Sequence, residues 1–215
     1  HACEINGIAR FVMASSAAVY GTNEAFPLDE SHAGTFHSPY ADSKWQNETQ
    51  VLKAKTSGMN AIALRFFNVY GTGQRSDGAY AAVIPKFIDL AVGGQAPTIF
   101  GDGLQTRDFV HVDDVARALL MLATGPWTND LEHVYNVCTQ IEISLLDLLS
   151  SIHSVLRDIA PEIPLPPPKH VGERAGDIAR SVGSKARLVN DTTWSPQVEF
   201  GQGIKQQILD CIKDA

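Results

Sequence analysis

Three stretches carry the architecture: Arg10-Phe-Val-Met-Ala-Ser-Ser16, Ser38-Pro-Tyr-Ala-Asp-Ser-Lys44 and Asn60-Ala-Ile-Ala-Leu-Arg-Phe-Phe67. The first and third are short apolar runs of strand length. The first closes on small polar residues, as a buried strand does when its C-terminal end opens onto a site. Between them Ser38 stands where a helix cap is expected and Pro39 in the first turn. The pattern predicts a helix running to about Ser57 and stopped by Gly58. Strand, helix and strand in that order predict a parallel sheet with crossover helices, and hence an α/β fold.

The same alternation extends outward. His1–Arg10 reads as the end of an amphipathic helix leading into the first strand, and Gly21–His37 as an irregular loop. Asn68–Gly78 reads as a glycine-rich loop and Ala79–Val92 as a helix broken by Gly93-Gly94. Short strands are expected at Pro97–Phe100 and Phe109–Val112, on either side of the turn Gly101–Gly103. Asp113–Ala123 is a helix with acidic residues facing its positive end. A strand follows at His133–Cys138. Ser144 then caps the helix Leu145–Ile159, with Asp147 as the capping-box acid. Pro161–Pro168 is extended, Phe200–Lys213 is a final amphipathic helix, and no internal repeat is visible.

Composition narrows the class. The chain has 215 residues, 44% of them hydrophobic and 19% charged, with a net charge of −7. That is enough apolar material for a proper core. No basic stripe offers itself to a nucleic-acid backbone, and no apolar run reaches bilayer length. The three cysteines (Cys3, Cys138, Cys211) show no metal-ligand or disulfide spacing. The opening HACEINGIAR has no basic region before an apolar stretch. The expectation is a cytoplasmic protein with reduced thiols, no metal, no nucleic-acid partner and no membrane partner.

Tyr40 and Lys44 are four apart, so a helix places them on one face. An ammonium beside a phenol favours the phenolate, which could act as a base. Taken alone, the pair more often marks an ordinary surface helix with an exposed lysine and a half-buried tyrosine. Its context is more specific. Ser15-Ser16-Ala17-Ala18-Val19-Tyr20-Gly21 ends the first strand, and Arg65-Phe66-Phe67-Asn68-Val69-Tyr70-Gly71 ends the second. Gly101-Asp102-Gly103-Leu104-Gln105-Thr106-Arg107-Asp108-Phe109-Val110-His111-Val112-Asp113-Asp114-Val115 follows, then Arg174-Ala175-Gly176-Asp177.

In this order the motifs resemble the extended short-chain dehydrogenase/reductase family, in its nucleotide-sugar epimerase/dehydratase branch, over essentially the whole chain. The resemblance implies NAD as cofactor and the C-terminal part of a Rossmann-type parallel sheet, followed by a small α/β substrate-binding domain. Residues 1–67 would belong to the NAD-binding domain. Residues 68–215 would mainly hold the nucleotide sugar, interleaved with sheet elements. It further implies that Tyr40 takes the proton from the sugar 4-hydroxyl, that Lys44 supports it and holds the nicotinamide ribose, and that Ser16 hydrogen-bonds the sugar oxygen. Phe66 would line the nicotinamide end and Asn68 would contact the phosphates. Arg107 and Arg174 would grip the diphosphate, and Asp177 would serve the nucleotide ribose or a partner arginine. The far face of the Tyr40–Lys55 helix, with Trp45, Val51 and Leu52, would form a homodimer.

Two details bear on the reaction. Relatives that dehydrate carry an Asp-Glu pair where this chain has Ala17 and Ala18, which transfer no protons, so the resemblance implies 4-epimerisation of a UDP-sugar. Ser181, seven residues after Arg174, is small where sites restricted to plain hexoses tend to carry tyrosine. With Gly78-Ala79-Tyr80-Ala81-Ala82-Val83-Ile84-Pro85 it resembles the epimerases that accept N-acetylhexosamines. UDP-glucose/UDP-galactose, another epimerase or reductase of the branch, and a non-catalytic sugar-nucleotide-binding or dimerisation remnant stay open. Family members begin with a strand and a GxxGxxG loop that this sequence does not contain. The expectation is therefore the C-terminal part of a longer enzyme, binding NAD weakly on its own.

Overall fold

The computed structural model describes residues 2–34, 36, 38–77, 82–127, 131–174 and 176–214. After a short helix α1 (Ala2–Ile5), strand β1 (Arg10–Ser16) leads into 3-10 turns at Ala17–Tyr20 and Glu30–His32, and then into helix α2 (Pro39–Thr56). Ser38 caps α2 by accepting from the Ala41 N–H, with Pro39 in the first turn. Strands β2 (Asn60–Phe66) and β3 (Asn68–Tyr70) come next, then α3 (Val83–Val92), β4 (Thr98–Phe100), β5 (Thr106–His111) and α4 (Val112–Thr124). The chain continues with β6 (Val134–Val137), β7 (Glu142–Ser144), α5 (Leu145–Ile159), β8 (Lys169–Val171), α6 (Ala186–Asp191) and α7 (Phe200–Asp214).

β1, β2 and β6 form one parallel sheet in the order β1-β2-β6. β2 lies between the other two strands, and Ala61 to Arg65 are all buried. Its side chains alternate between the two faces. Ala61 and Ala63 meet Val51 of α2 and Val134. Ile62 and Leu64 meet Val115, Ala118 and Leu122 of α4, with Tyr135 and Leu188. The register pairs Ser16 with Phe66, so the C-terminal ends of β1 and β2 lie side by side.

The second core belongs to the C-terminal half. Ile84, Phe87 and Ile88 of α3, Leu148, Ile152 and Leu156 of α5, and Ile204 and Ile208 of α7 pack with Tyr70, Ile99 and Phe109. The α5 capping box forms as expected, with Ser144 and Asp147 satisfying each other's backbone N–H groups.

The structure corrects several sequence expectations. The strands form three small sheets, among which β5 and β7 are antiparallel. The stretch expected as a glycine-rich loop begins with β3, which pairs with β5. β5 starts at Thr106 rather than Phe109, which puts Arg107 on a strand. The described helix after the loop is Val83–Val92; the expected start at Ala79, and Gly78, Tyr80 and Ala81, lie outside the described residues. β7, β8 and α6 are three to six residues long, too short for periodicity to register.

The apolar stripe expected on the far face of α2 does not exist as one face. Val51 is buried under the chain's own sheet. Trp45 packs on Phe36 with ring centroids 5.3 Å apart, and Leu52 remains exposed. Among the described residues no helix is long and apolar enough to cross a membrane.

Candidate active site

The first half of the site sits where β1 ends and α2 begins. Tyr40 is exposed and Lys44 reaches across it, its Nζ 5.7 Å from the phenol ring centroid. Lys44 also donates to the Ala14 carbonyl at 3.0 Å. The lysine thereby ties α2 to the last turn of chain before Ser16. The Ser16 Oγ accepts from the Ala18 N–H at 3.2 Å, capping the 3-10 turn. Among the described residues no hydrogen bond joins the Tyr40 hydroxyl to Ser16. Phe66 is half-buried and packs against the α4 side of the sheet. Asn68, the first residue of β3, is exposed.

The second half is a cleft of about 320 Å³ lined by Phe100, Asp102, Gln105, Glu173, Arg174 and Asp177 among others. Pairing of β4 with β8, Phe100 opposite Val171, brings the Gly101–Gln105 turn against the chain that follows β8. Arg107 and Asp177 form an ion pair at 2.6 Å. Arg107 also donates to the carbonyls of Thr106 at 2.8 Å and Ile178 at 2.5 Å. Gln105 reaches Asp177 from the other side at 3.3 Å. Much of the Arg107 fork is therefore spent on the protein, while Arg174 stands exposed on the cleft wall.

Ser181 connects the two halves along the chain. Its N–H donates to the Thr106 carbonyl at 3.2 Å, and the next residue, Val182, accepts from the Leu28 N–H at 2.9 Å. Leu28 belongs to the loop that starts at Ser16. The Arg180 guanidinium lies 4.5 Å above the Phe26 ring of that same loop.

Sequence reasoning missed a buried polar network behind the first half. Arg65, Glu48, Glu30, Asn136 and Ser15 are all buried. Arg65 forks onto Glu48 at 3.0 and 2.8 Å and donates to the Tyr20 hydroxyl at 3.0 Å. Tyr20 donates to Asn136 at 2.6 Å, and the Asn136 N–H donates to Glu30 at 2.8 Å. Burial raises the Tyr20 phenol above its ordinary range despite Arg65. Burial works against the Arg65 charge, but the Glu48 carboxylate and Tyr20 outweigh it and hold its proton more tightly than usual. The available signal was weak: a lone arginine inside an apolar strand. Of the cleft residues, Asp102 and Gln105 fall inside the Gly101–Val115 motif, which assigns them no role, and Phe100 and Glu173 lie outside the motifs.

The fold and these two half-sites define an α/β protein with a candidate site at the C-terminal ends of parallel strands. Residues 1–138 match the family model described as the NAD dependent epimerase/dehydratase family, and the chain belongs to that family. A Methanocaldococcus jannaschii relative, provisionally named a UDP-glucose 4-epimerase, is 36% identical over 203 residues, 94% of this chain and 62% of its own. The UDP-glucose 4-epimerase of Mycolicibacterium smegmatis is 33% identical over 210 residues, 96% of this chain and 64% of its own. The solved UDP-N-acetylglucosamine 4-epimerase of Methanobrevibacter ruminantium, in complex with UDP-N-acetylmuramic acid, superposes with a TM-score of 0.90 at 34% identity. That match covers 100% of this chain and 66% of the other. The chain thus spans just under two thirds of each of these three relatives.

Proposed function

We propose that this chain carries the catalytic and sugar-nucleotide-binding residues of an NAD-dependent UDP-sugar 4-epimerase, acting on UDP-GlcNAc/UDP-GalNAc or UDP-glucose/UDP-galactose. One observation carries the reading: Tyr40 and Lys44 share a helix face, and Lys44 is moored to Ala14 at the strand end that leads to Ser16. An ammonium has three donors. With one spent on Ala14, Lys44 retains capacity for vicinal ribose hydroxyls, so the residues present fit the nicotinamide-ribose end of NAD. When bound, NAD supplies the hydride acceptor and donor for C4.

The rest is work for the chain's own side chains. Tyr40 takes the proton from the sugar 4-hydroxyl as the hydride leaves and returns it after the sugar has turned. Ser16 hydrogen-bonds the 4-oxygen and steadies it. Phe66 lines the nicotinamide end. Arg174 and Asn68 hold the diphosphate, since paired phosphates favour forked cationic donors. Arg107, paired with Asp177 of the cleft wall, is the second arginine of the proposed diphosphate grip. Ser181 leaves room for an acetamido group. Ala17 and Ala18 offer no acid or base for dehydration.

The test uses the full-length protein, with UDP-GlcNAc and UDP-glucose as separate substrates. Tyr40→Phe is expected to lower kcat for both by about 10²- to 10⁴-fold, the usual worth of a positioned base. Retained turnover would reject Tyr40 as the base. A wild-type protein that epimerises neither sugar would reject the reaction.

The proposal includes a homodimer through α2, with exposed Leu52 as its apolar contact. Light scattering is expected to give twice the chain mass for the full-length protein and a monomer for Leu52→Asp. A wild-type monomer would reject the dimer.

A further inference from the structure

We propose that Glu48, backed by Arg65, is a positioning residue that sets the rotation of α2 and so aims Tyr40 at the reacting sugar and Lys44 at the nicotinamide ribose. The inference rests on the reading of Tyr40 as the base. Tyr40, Lys44 and Glu48 lie at successive i, i+4 steps and form one stripe along α2. Lys44 accordingly grips the Ala14 carbonyl, and Glu48, one turn on, accepts from the Ser15 hydroxyl. The helix therefore holds two consecutive residues of β1, immediately before Ser16, from two consecutive turns. One clamp would leave the helix free to roll about the contact. Two clamps a turn apart fix both its roll and its slide along the strand.

The carboxylate that makes the second clamp is itself held in place. Glu48 is 4% exposed and Arg65 2%. Arg65 is the register partner of Ser15 on the neighbouring strand. Its Nε and Nη2 take both Glu48 oxygens, while Nη1 donates to the Tyr20 hydroxyl at 3.0 Å and to the Glu30 carbonyl at 2.8 Å. Planar bidentate pairing is the arrangement that fixes direction as well as distance. A buried ion pair adds little net stability over an apolar filling, because desolvation cancels most of its attraction. Its value here is geometric: β1 meets α2 at the Glu48 carboxylate, and the Arg65 guanidinium of β2 joins that carboxylate to the loop after Ser16.

Neither Glu48 nor Ser15 touches substrate in this scheme, so its signature is a loss in kcat without a loss in binding. The full-length enzyme is compared with Ser15→Ala, Glu48→Gln and Tyr40→Phe, each first checked for folding by circular dichroism. Misplacing a reacting group by about 1 Å can cost about 10²-fold in rate. We therefore expect Ser15→Ala and Glu48→Gln to lower kcat at least about tenfold while the UDP-sugar KM stays within about threefold. A folded Ser15→Ala enzyme with wild-type kcat, or a raised KM at unchanged kcat, would overturn the proposal. Ser15→Ala leaves the Glu48–Arg65 fork intact, so it decides the question if Glu48→Gln does not fold. Tyr40→Phe separates the two readings: if it alone keeps full activity, the base assignment has failed. If it is inactive while Ser15→Ala is unimpaired, only the positioning role has failed.

Discussion

Ser181 shows how a single side chain could set substrate size. Its backbone is pinned by the hydrogen bond to Thr106, and the neighbouring Val182 and Gly183 are buried. A Cβ built on Gly183 would come within 2.8 Å of the Cys138 sulfur and closer still to the Phe67 ring. With the segment behind it tightly packed, a larger residue at 181 is expected to extend toward the proposed sugar site. Ser181→Tyr is expected to lower kcat/KM for UDP-GlcNAc relative to UDP-glucose. Overpacking of about 1–3 kcal/mol corresponds to roughly 5- to 140-fold at about 1.4 kcal/mol per decade. The competition ratio of the two sugars measures it. An equal fall for both would remove Ser181 as a size gate. The sequence singled the residue out by its spacing from Arg174, whereas the rigidity behind it depends on Phe67 and Cys138, which are distant in the chain.

At the scale of the element, α4 has an unusual cap. His111 takes the N-cap place, and its Nδ1 accepts from the Asp113 N–H at 3.2 Å. The ring is 6% exposed, stands edge-on to Tyr70, and its Nε2 is buried without a partner among the described residues. Burial is the main reason its pKa falls below the ordinary histidine value, against the pull of Asp113. Only the neutral ring can accept at Nδ1. The folded state then binds fewer protons than the unfolded chain below about pH 6.5, and stability falls as pH falls through that value toward the lower folded pKa. Urea unfolding at pH 7.5 and 5.5 is expected to show this loss. His111→Asn, a good cap that does not titrate here, is expected to show a smaller one. An equal loss in both proteins would mean that other groups carry the pH dependence. The sequence suggested a helix with acidic residues in its first turn, which the structure has. The histidine cap was not legible, because a cap is recognised by its hydrogen bond and histidine is not among the favoured types.

On the scale of the whole molecule, two apolar cores lie on either side of β5. Val110 points into the sheet core with Ile62, and Phe109 points into the helical core with Ile152. A strand shared in this way should couple the two cores into one folding unit. Ile62→Val and Ile152→Val are each expected to cost about 0.5–1.5 kcal/mol. With no core residue in common, the double variant is expected to cost their sum within about 0.5 kcal/mol in a single urea transition. Two resolved transitions would mean that the halves unfold separately.

What the sequence determined by itself was local. The capped start of α2, the Tyr40–Lys44 spacing, the strand expected at Asn60–Phe67 and found at Asn60–Phe66, and the α5 capping box each rest on residues a turn or two apart, where backbone geometry alone dictates which side chains meet. The family motifs extended that reading to Arg107, Arg174 and Asp177. Only the tertiary structure decided what met across long stretches of chain. The pairing of β4 with β8 made the cleft, the Arg107–Asp177 ion pair spent the expected phosphate-binding fork on the protein, and the Ser15–Glu48–Arg65–Tyr20 network was assembled from four separate segments. Such contacts follow from how sheets and helices pack, and a polar group buried by that packing must find its partner wherever the fold brings one.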